Sequence, residues 1–303
     1  MPSPEIQRVK AYWDARARAA KPASIAELRL LDDHWAALTS EPEDVDYVRV
    51  DYAGVKCLWA APKSAGVEPI IVCFHGGGYT TGSSFSHRKL YGHLAKLVGV
   101  RALLVDYRLA PENPFPAQVN DAFSVYRCLL SLGARPYQIA LVGDEAGGGL
   151  ALATALRARD EGAPRPAAIM AMSAWTDMSL AGASYETNKR KDLAFGRAAV
   201  GERVSAFLGA LSERRTPYAS PITADLTGLP PVCLQVGGDE AMLDDSVVLA
   251  ERARAAGVDV DITVFAGLAH GFQMAAGRAR EADEALMLLA KWLRPRLGIG
   301  VLT

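Results

Sequence analysis

Three side chains along this sequence are of types, and in settings, that could do chemistry. Glu145 lies in Gly143-Asp-Glu-Ala-Gly-Gly148, between the apolar run Gln138-Ile-Ala-Leu-Val142 and the helix-like Leu150-Ala-Leu-Ala-Thr-Ala-Leu156. A strand, a glycine-pinched corner and a helix form the setting of the G-x-S-x-G turn, which presents a nucleophile at a strand tip. Here the middle residue is a glutamate. Asp239 ends a second apolar run, Leu234-Gln-Val-Gly-Gly-Asp239, where a carboxylate can accept Nδ1–H of a histidine and fix its tautomer. Its neighbours Asp244 and Asp245 open a helix-like stretch, and helix capping accounts for them. His270 follows the last strand-like run, in Leu268-Ala-His270-Gly271-Phe272.

A fourth group supplies backbone donors. His75-Gly76-Gly77-Gly78-Tyr79 follows Ile70-Ile-Val-Cys-Phe74, and three successive glycines fit a chain that turns sharply or approaches a ligand closely. Their N–H groups can converge on one oxygen anion, as acyl-transfer chemistry requires. Of the remaining histidines, His34, His87 and His93 sit in helix-like stretches and read as structural. His75 is expected to hold the glycine loop by a hydrogen bond.

The elements that must position these groups alternate. Val45–Tyr52 has period two and Val55–Ala60 follows Ala-Gly, which predicts an antiparallel entry hairpin. Continuous apolar runs then predict buried strands at 70–74, 102–105, 139–142, 167–172, 232–236 and 260–265. Helix-like stretches separate them at 87–98, 117–132, 147–158, 244–256 and 282–293. This rhythm predicts an α/β fold, a mostly parallel twisted sheet of about eight strands with helices on both faces. Residues 1–44 and 177–216 fall outside it and are expected to form a small helical cap. They divide the core into 45–176 and 217–303. An insertion at the carboxyl end of a parallel sheet sits where ligands bind. For the N-terminal piece, helices packed on the side of the core are the alternative.

Bulk properties narrow the function. The 303 residues carry a formal charge of −1, which gives no electrostatic footprint for nucleic acid or an anionic membrane. No stretch approaches a membrane span, and Met1-Pro-Ser-Pro-Glu5 lacks the basic start of a signal peptide, so a cytoplasmic protein is expected. Cys57, Cys73, Cys128 and Cys233 are widely spaced and read as small buried hydrophobes. Without CxxC or HExxH, no metal site is expected. The expected partner is a small-molecule substrate, with self-association into a homodimer left open.

The order 145, 239, 270, together with His75-Gly-Gly-Gly78, Asp106-Tyr-Arg-Leu-Ala-Pro-Glu112, Pro114-Phe-Pro116 and His270-Gly-Phe272, resembles the hormone-sensitive-lipase-like α/β-hydrolases from about residue 45 to the end. The resemblance implies an esterase, lipase or lactone hydrolase without a cofactor. It implies that Gly77, Gly78 and Ala146 supply oxyanion-hole N–H groups, that Tyr79 contacts substrate, and that Asp106 and Arg108 are supporting structure. Ser3-Pro-Glu-Ile-Gln7 is similar to the start of bacterial lactone hydrolases acting on small cyclic esters.

Glu145 is the departure, since the family uses serine there. A carboxylate attacking an ester would give a mixed anhydride, and loss of the nucleophile of such a triad costs a factor on the order of 10⁶ in kcat. Ordinary serine-esterase turnover is therefore expected to be weak or absent. The glutamate side chain extends as an acyl-serine would, so one oxygen is expected at the glycine N–H groups and the other toward His270, whose pKa should rise. Four readings stay open: a carboxylate nucleophile on saturated carbon, with His270 and Asp239 activating water; a general acid or base; a non-catalytic small-molecule binder; and an esterase with an introduced serine-to-glutamate substitution.

Overall fold

The computed structural model describes residues 2–19, 24–211 and 213–300. Two helices come first, α1 (Pro4–Arg18) and α2 (Ile25–Asp32), then strands β1 (Val45–Tyr52), β2 (Val55–Pro62) and β3 (Ile70–Phe74). Helix α3 (Ser84–Val98), β4 (Arg101–Val105), α4 (Ala117–Ser131), β5 (Ile139–Asp144), α5 (Ala146–Asp160) and β6 (Ala168–Met172) continue the alternation. The short α6 (Ser184–Thr187) and α7 (Arg197–Leu208) interrupt it before β7 (Val232–Gly237), α8 (Leu243–Ala255), β8 (Val260–Phe265) and α9 (Arg280–Arg296).

The strands form one sheet in the order β1-β2-β4-β3-β5-β6-β7-β8. β2 runs antiparallel to both β1 and β4, and every pairing from β4 to β8 is parallel. This is the mostly parallel eight-stranded α/β sheet anticipated from the alternation, in the arrangement that the resemblance to α/β-hydrolases implied. Ala53 (φ 55°) and Gly54 (φ 79°) close the two-residue hairpin between β1 and β2, a conformation whose twist matches its strands. β3, β5, β6 and β7 are buried along their whole length, which is why their sequences read as unbroken apolar runs. The edge strand β8 instead exposes Asp261, Thr263 and Val264. Helix α3 packs on α9 and α4 on α5, covering the sheet.

Because β3, β5, β7 and β8 are parallel, the residues that follow them meet at one edge, the ordinary ligand-binding edge of such sheets. The N-terminal helices lie over that edge. Ser3 caps α1 through Ile6 N–H (3.3 Å) and fastens it to α9, donating from its own N–H and Oγ to Glu281 (2.7 and 2.8 Å). Further along α1, Trp13 Nε1 donates to the carbonyl of His270 (2.9 Å). Among the described residues, no helix is long and apolar enough to cross a membrane.

Candidate active site

Glu145 stands between β5 and α5 with φ 51° and ψ −113°, in the sparsely populated region that marks an over-determined turn. Its backbone is pinned on both sides: Glu145 N–H donates to Met172 O (2.9 Å), and its carbonyl accepts from Gly148 and Trp175 N–H. The flanking glycines are obligatory. A Cβ on Gly143 would lie 2.0 Å from Gly147 O, and one on Gly147 would lie 2.0 Å from Phe74 O. Only a chain without side chains there can close the turn.

The carboxylate is buried and asymmetric. Oε2 accepts hydrogen bonds from Gly77 N–H (2.6 Å) and Gly78 N–H (2.7 Å), short enough to be charge-assisted. Both glycines have positive φ (118° and 59°), and a Cβ on Gly77 would meet Thr81 O at 2.3 Å. Ala146 was expected as a third donor; its N–H makes no hydrogen bond to the carboxylate among the described residues. Oε1 has no hydrogen-bond partner among the described residues, and the nearest cation is Arg203 of α7, with Nη1 at 4.0 Å.

His270 is buried at the loop after β8, and its partner differs from the expected one. Nδ1–H donates to Glu240 Oε2 at 2.9 Å, not to Asp239. Glu240 is fully buried, and its Oε1 accepts from Ser173 Oγ (2.7 Å) and Gly237 N–H (2.5 Å). Asp239 points away and pairs with Lys191 at 2.9 Å on the surface side. The reason is reach: β7 ends at Gly237, and after the Gly237-Gly238 turn the second carboxylate, one methylene longer, folds back beneath the strand tip. Burial pulls the His270 pKa down, but the buried charge of Glu240 and its hydrogen bond outweigh it, with Asp192 and Glu145 adding, and the imidazole is pushed up to about 9. The rise agrees with expectation; its main source does not, since no hydrogen bond joins Glu145 to His270.

Aromatic side chains close the site. Phe195 lies 3.8 Å (ring centroids) from His270, and Trp13 contacts Phe195, Trp35 and His270 edge-on. With Glu145, Gly77 and His270 they bound a gap of about 10 Å³, the size of one water molecule. Trp13 and Phe195 also line a cavity of about 470 Å³ beneath α1, α2 and α7, shared with Ile25, Leu28, Asp32 and Arg203. Asp192, which sequence reasoning passed over, holds Phe195 N–H and Ala241 N–H.

The remaining expectations separate. Tyr79 was expected to contact substrate, but it lines neither space: it is buried, stacked on Phe207 at 3.9 Å and tilted against Trp175. His75 holds the glycine loop, with Nδ1 2.8 Å from Gly76 O and its ring stacked on Tyr107; burial and the nearby His87 lower its pKa to about 3. Asp106 accepts from Ser84 N–H and Oγ, and Arg108 forks onto Asp121. No three His, Cys, Asp or Glu residues among those described are placed to hold a metal ion.

Comparison with known proteins agrees with this architecture. A family model described as the alpha/beta hydrolase fold matches residues 71–274. An acetyl-hydrolase of Streptomyces hygroscopicus is 34% identical over 99% of this chain and 100% of its own length. An esterase of Acinetobacter venetianus is 35% identical over 88% of this chain and 87% of its own. The crystal structure of an esterase from the bacterial hormone-sensitive lipase family superposes with a TM-score of 0.94 at 38% identity, covering 98% of this chain and 100% of the other.

Proposed function

The chain belongs to the α/β-hydrolase family, among its hormone-sensitive-lipase-like carboxylic-ester hydrolases, and on that premise we propose that Glu145 takes the place of the serine nucleophile and acts as a carboxylate nucleophile on a small apolar electrophile. The observation that carries this reading is the division of labour between the carboxylate oxygens. Oε2 occupies the donors Gly77 and Gly78, while buried Oε1 has no hydrogen-bond partner among the described residues.

Attack by Oε1 on a saturated carbon, such as an epoxide carbon, gives an alkyl ester whose carbonyl oxygen is already Oε2. The hydrolytic step then needs what surrounds it. Water attacks the ester carbon, His270 takes its proton with Glu240 fixing the imidazole, and Gly77 and Gly78 stabilise the oxyanion. The water-sized gap between Glu145 and His270 suits that water. The described residues of 1–44 and 177–216 serve in this reading as the cap that shapes the apolar cavity, residues 1, 20–23 and 212 of those ranges lying outside the described residues. General acid–base work on an enolate fits less well, because the oxyanion donors are filled by the enzyme's own Oε2.

The test is trapping. A His270→Gln variant incubated with a small aliphatic epoxide should accumulate a mass increase on the peptide containing Glu145 after rapid acid quench. An unmodified peptide, with substrate consumed by wild type, sinks the nucleophile reading.

A further inference from the structure

Among the described residues, Arg203 is the cation within 4.0 Å of the Glu145 carboxylate, and its placement is unusual. The stem lies on the glycine loop: a Cβ on Gly78 would meet Arg203 Cδ at 2.5 Å. The guanidinium carbon is 5.6 Å from the Phe195 ring centroid, and Nη1 reaches to 4.0 Å from Glu145 Oε1 without bonding to it. Nη1 is buried and has no hydrogen-bond partner among the described residues, like Oε1 itself. Two unsatisfied groups of opposite charge, both buried, thus lie 4.0 Å apart, Arg203 lining the 470 Å³ cavity and Glu145 the water-sized gap, with Trp13 and Phe195 common to both linings. Such groups cost free energy unless a ligand satisfies them.

We propose that Arg203 is a catalytic residue that donates Nη1–H to the leaving oxygen of the carbon attacked by Glu145, making the site selective for oxygen electrophiles with a basic leaving oxygen, epoxides above all. The inference rests on Glu145 being a nucleophile. With the attacked carbon about 3 Å from Oε1, in-line geometry puts the leaving oxygen roughly one bond further away. A point at that separation from Oε1 can also lie about 2.9 Å from an N–H donor that is itself 4.0 Å from Oε1.

The step balances. An Oε1 lone pair forms the new C–O bond, and the strained C–O bond breaks with its electrons going to the ring oxygen. That alkoxide, bound by Arg203, takes a proton from the His270 imidazolium, directly or through one water. The neutral imidazole left behind is the base that the hydrolytic step requires. Collapse of the tetrahedral intermediate expels the second alkoxide, which takes the new carboxyl proton of Glu145, releasing a diol and restoring the carboxylate.

The experiment compares leaving groups. Single-turnover alkylation of Glu145 is followed by mass in the His270→Gln full chain, using 1,2-epoxybutane and 1-bromobutane, with Arg203, Arg203→Lys and Arg203→Met; in this background water protonates the Arg203-bound alkoxide in place of the imidazolium, and hydroxide is released to solvent. Bromide leaves without a proton or a strong donor, so its rate should change by less than about 3-fold. The epoxide rate should fall on the order of 100-fold in Arg203→Met, the cost of one lost oxyanion donor, and less in Arg203→Lys. Equal falls for both electrophiles, or none, in variants with unchanged thermal midpoints would overturn the role of Arg203. Absence of any adduct with Arg203 present takes down the nucleophile reading itself, and this inference with it. Lysine keeps a stem over Gly78, so it serves if methionine fails to fold.

Discussion

The strand tips and the helices above them build the two halves of this site in opposite ways. At the tips most polar atoms have partners: Glu240 uses both oxygens, His270 Nδ1 is taken, and Gly77 and Gly78 share Oε2, which leaves Oε1 of Glu145 without one among the described residues. In the cover, α1, α2 and α7 contribute aromatic rings and charged groups, and buried polar atoms of Asp32, Trp35 and Arg203 have no hydrogen-bond partner among the described residues. The satisfied half is a machine for stabilising charge on an oxygen, and it suits any hydrolase of this family. The unsatisfied half has room for specificity, because its donors and acceptors are free to meet a ligand.

The largest expected effect tests whether the strand-tip half is complete. Glu145→Ser should raise p-nitrophenyl acetate hydrolysis by a factor on the order of 10⁵, since only the nucleophile is being supplied. No gain in a folded variant would mean that the tips lack a working charge-stabilising arrangement. In that serine background, Glu240→Gln should cost about 10⁴ in kcat by unfixing the histidine, whereas Asp239→Asn should stay within about 2-fold. The reverse ranking would restore Asp239 as the partner.

A smaller effect appears in stability against pH. The folded His270 pKa of about 9 lies above its ordinary value of 6.5, so the contribution is fully present below that ordinary value and is lost as pH rises through 9. Between pH 7 and 9 the unfolding free energy should therefore fall, by up to about 1.4 kcal/mol per pH unit for one proton. Urea denaturation across that window should show a shallower fall in Glu240→Gln; identical slopes would separate the histidine from Glu240. The smallest change is expected at the exposed pair: Lys191→Ala removes only the contact to Asp239, worth less than about 1 kcal/mol. A larger loss of stability would mean that the surface pair supports the loop carrying Glu240.

The sheet and the residues at its tips were largely legible because buried strands write themselves as apolar runs and their ends as glycines. Glu145, Gly77, Gly78 and His270 all follow such runs directly. Glu240 was missed for a local reason: two carboxylates follow Gly237-Gly238, and only the path of the turn decides which folds back. Tyr79 misled because adjacency to a glycine loop says nothing about the direction of a side chain once φ turns positive, here to 59°. Arg203 and Phe195 carried no local signal, since the helix and loop that hold them meet the glycines only through tertiary packing.

The turn around Glu145 has a consequence for how this lineage changes. With carbonyl oxygens 2.0 Å from any Cβ that residues 143 or 147 could carry, the flanks are sealed against substitution, and the backbone of residue 145 is set by its neighbours rather than by its own side chain. The turn is therefore a socket. Whatever residue fills it is delivered to the same point beneath Gly77 and Gly78, so a single codon change can exchange one reaction for another while the frame stays as it was. Variation among relatives at position 145 would then sort them by chemistry, and variation in α7 would sort them by substrate.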